Sequence, residues 1–70
     1  MNNSKNIGYV SCPTSAGYEL EELESVSIRG LKQQATKMFH ITEGTKLYLY
    51  NDSKEVIAHK EGFNSWVDCN

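Results

Sequence analysis

Four glutamates crowd one short stretch of the chain: Glu19, Glu21, Glu22 and Glu24. Paired carboxylates can do general acid–base work, but only where an apolar pocket shifts the pKa of one of them. No such pocket is available here, so the cluster reads as a solvated face. His59 beside Lys60 has the makings of a general base, yet a lone strand histidine is more often structural or simply exposed. Cys12 and Cys69 have no second ligand at metal spacing, and His40 and His59 stand isolated. A Gly-rich phosphate loop and a nucleophile elbow are both missing. The expectation is a protein that is not an enzyme, with no metal, no cofactor and no small-molecule substrate.

Binding chemistry is better represented. Tyr48 and Tyr50, two apart, share one face of a strand, and Lys46 shares it with them. With Lys60 nearby, they imitate a stacking platform for single-stranded nucleic acid. The bland alternative is cross-strand aromatic packing that stabilises a thin sheet. Arg29, Lys32 and Lys37 form a modest basic stripe on the helical segment, which alone is usually only a solvated face. Tyr and Arg are favoured interface anchors. Lysines 32, 37, 46 and 60 surrounding them would suit an acidic or nucleic-acid-loaded protein partner.

The elements that must position these residues can be read in order. The chain has 70 residues, enough for one small domain, residues 1–70. A chain this short buries only about 60% of its unfolded surface, so its core is thin. Residues 1–6 are polar and expected to fray. Ile7–Cys12 is a short strand that Pro13 stops, and residues 14–17 form a turn. The stretch 18–24 is ambiguous: Glu and Leu favour a helix, and Leu20 and Leu23 suit a helix or a bulged strand. It is read as a strand because the helix start signal comes later, at Ser27. Ile28, Leu31, Ala35, Met38 and Phe39 then form one apolar stripe of a helix running to about Phe39. Gly30 marks close packing of that helix on the sheet.

Three β-rich segments follow: 44–50, 56–62 and 65–69. They are separated by Asn51-Asp52-Ser53 and Gly62-Phe63-Asn64, both turn-forming clusters. Leu47 and Leu49 should face the helix, leaving Lys46, Tyr48 and Tyr50 on the far side. Pattern alone leaves open whether Val56 and Ala58, or Ile57 and His59, point inward. Trp66 and Val67 should take opposite faces. The expected class is α+β, in the order β(β)-α-β-β-β: one α-helix packed on a 4–5-stranded antiparallel sheet, strand order open.

Charge and composition set further bounds. The formal charge is −2, but residues 1–26 carry a net −3 and residues 27–70 a net +1. A nucleic-acid-coating protein would be plainly basic, and a convincing DNA mimic would be more acidic. No apolar run approaches the roughly 20 residues of a membrane span, and the first residues lack the apolar stretch of a signal peptide. A cytoplasmic location is expected, where both thiols stay reduced; a disulfide from first strand to last is the geometric alternative.

The block Gly44-Thr45, Ala58, Lys60-Glu61 and Trp66-Val67-Asp68-Cys69 resembles the phage anti-CRISPR proteins of the type I-F class, ninth family. In the helix, Ser27, Lys32, Ala35 and Lys37 fit the same pattern, and the likeness spans roughly residues 20–70. It implies a small helix-on-sheet protein that binds the repeated backbone subunit of a CRISPR surveillance complex in the bacterial cytoplasm. There it would keep target DNA from pairing with the guide RNA. By position, Lys32, Lys37 and Lys60 carry over as gripping residues, with Gln33 where the family has Arg. The chain departs from the pattern at Asn64 and Ser65, where the family has basic residues, and in its acidic Glu19–Glu24 stretch. A relative aimed at another CRISPR subtype or another host nucleic-acid machine stays open. So does a small phage domain that binds nucleic acid directly through Tyr48 and Tyr50.

Overall fold

The computed structural model describes residues 5–16 and 19–69. Strands β1 (Asn6–Ser11) and β2 (Glu21–Ser25) precede helix α1 (Ile28–Met38). Strands β3 (Lys46–Tyr50), β4 (Val56–Glu61) and β5 (Val67–Asp68) follow it. They form one antiparallel five-stranded sheet in the order β2-β1-β3-β4-β5. The last three strands are therefore a meander, while α1 carries the chain from β2 across β1 to β3. This is the expected α+β class, with the strand order now fixed.

Local chemistry accounts for the helix. Ser27 is extended, and its hydroxyl accepts a 3.0 Å hydrogen bond from the Gly30 N–H, satisfying a donor that the first turn leaves over. Lys37 sits in the last turn, where a cation complements the helix dipole. Leu31 and Ala35 are fully buried. They meet Val10, Cys12, Leu23, Leu47, Leu49 and Ala58 in the core, and Phe39, Ile41, Ile57 and Trp66 pack around it. Leu47 and Leu49 thus face the helix as their alternation requires. Gly30 lies against Ser25: a Cβ added there would come within 2.9 Å of the Ser25 Cβ and clash with its hydroxyl. The close packing expected of this glycine is found at the end of β2.

Several boundaries differ from the sequence reading. Asn6, expected to fray, pairs with Ser25 as the first residue of β1; residues 1–4 lie outside the described residues. The stretch read as a strand over 18–24 is a strand only from Glu21, so Leu20 precedes it and no bulge is needed between Leu20 and Leu23. Gly17 and Tyr18 are outside the described residues. Ile28 and Met38, assigned to the apolar stripe, are 43% and 45% exposed, because the stripe outruns the width of sheet available to cover it. The last strand is shorter than residues 65–69, and Trp66 stands just before it.

On β4, Ala58 is buried, opposite Leu49. The register then slips so that Tyr50 pairs with Val56, and the extra residue, Ile57, packs against the core. A bulge of this kind breaks simple alternation, which is why the pattern could not sort these residues. Cys12 is buried, Cys69 is half-buried, and both thiols are free. No helix among the described residues is long and apolar enough to cross a membrane.

Candidate partner-binding surfaces

The helix covers only part of the sheet. It packs against β2, β1 and β3, leaving the β4–β5 side of the same face uncovered except near Trp66. An open groove of about 500 Å³ results, lined by Arg29, Lys32, Gln33, Thr36, Lys37 and Trp66. Helical spacing builds one wall, since Arg29, Gln33 and Lys37 recur every four residues. Trp66 builds the other. Its indole N–H donates to the Thr36 hydroxyl at 3.2 Å, and that hydroxyl donates back to the Lys32 carbonyl at 2.9 Å.

Lys32 has a defined task in this arrangement. Its ammonium meets the Asp68 carboxylate at 2.7 Å, tying α1 to β5, and its side chain is only 22% exposed. On the other side of this bridge lies a second open hollow of about 620 Å³, bordered by Ile28, Arg29, Ile57 and Cys69. Lys60 is engaged as well. It lies opposite Leu47, hence on the helix side, and donates to the Asn64 carbonyl at 2.7 Å across the β4–β5 turn. Arg29 and Lys37 are exposed and bridged to no carboxylate among the described residues. They are the groove's available cations.

The far face of the sheet is a separate surface. Side chains directly opposite one another in an antiparallel ladder share a face. The register therefore sets Tyr9 beside both Glu22 and Tyr50, and Tyr48 between Ser11 and His59. The Tyr48 and His59 rings are tilted with centroids 6.4 Å apart, and the Tyr50 hydroxyl is 3.1 Å from that of Ser11. Lys46 lies across from Glu61 at the end of this face.

The expected site residues therefore divide. Lys32, Gln33, Lys37 and Lys60 belong to the helix side, whereas Lys46, Tyr48 and Tyr50 belong to the other. The expectation that lysines 32, 37 and 60 surround the tyrosines is corrected: strand parity puts Lys60 on the face opposite Tyr48 and Tyr50, and α1, which carries Lys32 and Lys37, packs on that same opposite face. On the tyrosine face Lys46 stays with Tyr48 and Tyr50 while Lys60 does not, and Glu22, Glu24 and Glu61 lie there as well, so the charge this face offers a polyanion is mixed. Arg29, Thr36 and Trp66 were not assigned to the site from sequence. The four-residue spacing of Arg29, Gln33 and Lys37 was a usable signal; the position of Trp66 depends on where β5 docks.

No protein-family model matches the chain, and neither a curated protein nor a solved structure matches it.

Proposed function

We propose that this chain is a non-enzymatic phage inhibitor acting in the bacterial cytoplasm. It binds the repeated backbone subunit of a type I CRISPR surveillance complex and keeps target DNA from hybridising to the guide RNA. The observation that carries this reading is the groove in which Arg29, Gln33 and Lys37 form a basic helix stripe against Trp66. Two available cations beside an aromatic wall suit an acidic or nucleic-acid-loaded partner, and complementarity of this kind governs on-rate and specificity. The resemblance over Gly44–Cys69 supplies the identity of the partner, and the helix-on-sheet fold it implies agrees with the architecture found.

The test is to mix the purified protein with type I-F surveillance complex, recover the complex, and measure target-DNA binding on the same sample. Co-purification with loss of DNA binding is expected. The double variant Arg29→Glu, Lys37→Glu should lose inhibition while remaining folded, since exposed substitutions move stability by about 0.5 kcal/mol or less. Failure to associate with the complex overturns the reading. Full inhibition by the double variant would remove the groove from it.

A further inference from the structure

We propose that Asp68 is a positioning residue for the helix groove: from outside the groove it holds β5 against α1, and that docking sets Trp66 as the groove's second wall. This role rests on the reading of the groove as the partner-binding surface and adds a control over that surface. Asp68 borders the hollow beyond the Lys32 bridge and does not line the groove itself. Its carboxylate meets the Lys32 ammonium at 2.7 Å, one helical turn before Thr36, whose hydroxyl accepts the Trp66 indole N–H at 3.2 Å. The two contacts leave adjacent turns of α1 and end two residues apart in the chain, so each favours the other.

Strand β5 needs these ties. Its two residues, Val67 and Asp68, are both exposed, so it buries no core side chain of its own. On the other side of Trp66 the chain is fixed independently. The Asn64 N–H donates to the Glu61 carbonyl at 3.1 Å, and Lys60 donates to the Asn64 carbonyl at 2.7 Å. Trp66 therefore stands between a fixed turn and a strand with little to hold it. Elements with few buried contacts open locally at low cost. When β5 lifts, the groove loses a wall, and a partner that needs this wall binds only the closed state. Charge alone predicts the reverse. Removing the Asp68 carboxylate frees Lys32, which lines the groove, and a third available cation would tighten binding to an acidic partner. The sign of the effect thus separates positioning from electrostatics.

The experiment measures association of Asp68→Ala with immobilised type I-F surveillance complex, and hydrogen exchange in the free full chain. Association should weaken about fivefold. In a Trp66→Ala background the same substitution should weaken it no further, because its route through Trp66 is gone. In the free chain Asp68→Ala should speed exchange of the Trp66 indole N–H and the β5 amides, with the Leu31 and Leu49 amides unchanged. Tighter binding by Asp68→Ala would overturn the proposal, as would an equal loss in both backgrounds. So would equal acceleration at Leu31 and Leu49, which marks a general loss of stability. An indole exchange rate that Asp68→Ala leaves unchanged would overturn it whether or not the complex binds. Failure of the unsubstituted chain to associate counts against the function proposed for the groove, while exchange in the free chain still decides whether Asp68 positions Trp66.

Discussion

Lys32 donates to Asp68 at 2.7 Å, and this contact determines what a substitution there would report. Asp68 is 74% exposed at its side chain, so water screens the pair and a double-mutant cycle should return about 0.2–1 kcal/mol. Lys32→Gln will therefore mix a small loss of stability with any loss of binding. Lys37→Gln, on an exposed side chain, should change binding with no shift in the urea midpoint beyond error. Gly30 poses the opposite case. Alanine gains about 1 kcal/mol of helix propensity over glycine, yet the added methyl would meet Ser25 at the end of β2. Gly30→Ala should lower the melting temperature despite its propensity, and Ser25→Gly in the same chain should recover stability. Gly62 is fixed by its backbone: φ is +55°, and a Cβ would come within 2.6 Å of the Glu43 carbonyl oxygen.

The short strand β5 shows how an element of two residues can be held. Its backbone pairs with Ala58 and His59, and the Cys69 N–H extends the contact to the Ile57 carbonyl at 2.9 Å. Two side-chain contacts reach it from α1, Lys32–Asp68 and Thr36–Trp66. Trp66 is half-buried, so Trp66→Ala should cost about 2 kcal/mol, below the 3–5 kcal/mol of a core aromatic. Amide exchange at β5 should accelerate more than exchange at β1 and β3; uniform acceleration would show that the clasp does not open separately. The opposite edge is guarded differently. The Gln34 amide accepts from the Glu24 N–H at 3.3 Å and donates to the Glu24 carbonyl at 2.6 Å, occupying part of the open edge of β2. These long-range devices explain what the sequence could reveal. Ser27 and the spacing of Leu31 and Ala35 announce α1, and Leu47–Leu49 alternation announces the buried face of β3, because both signals are local. The bulge at Ile57, the strand order and the Trp66 wall arise from pairings between distant residues, which no periodicity records. The same limit applied to the candidate site, where Lys32 and Lys37 were legible as helix residues but the bridge from Lys32 to β5 was not.

At the scale of the whole molecule, one thin core separates two surfaces of different electrostatic character. That core holds Val10, Leu31, Leu47 and Leu49 as its largest fully buried side chains, with Cys12 at 2% exposure beside them. A domain of this size has little stability to spare, so losing one of these side chains should be felt everywhere at once. Leu49→Ala is expected to cost about 3 kcal/mol, and Cys12 supplies the means to observe it. Its thiol is covered by the sheet and helix, whereas Cys69 is half-buried near the end of the described chain. A thiol reagent should modify Cys69 in the native protein and reach Cys12 only when the core opens. Because each 1.4 kcal/mol is a tenfold change in an equilibrium constant, Leu49→Ala should speed Cys12 labelling by roughly 100-fold. The Arg29→Glu, Lys37→Glu variant should leave that rate unchanged, since neither residue belongs to the core. Rapid labelling of Cys12 in the unmodified chain would mean that β1 opens independently of the sheet centre. The two faces would then not be carried on one cooperative unit.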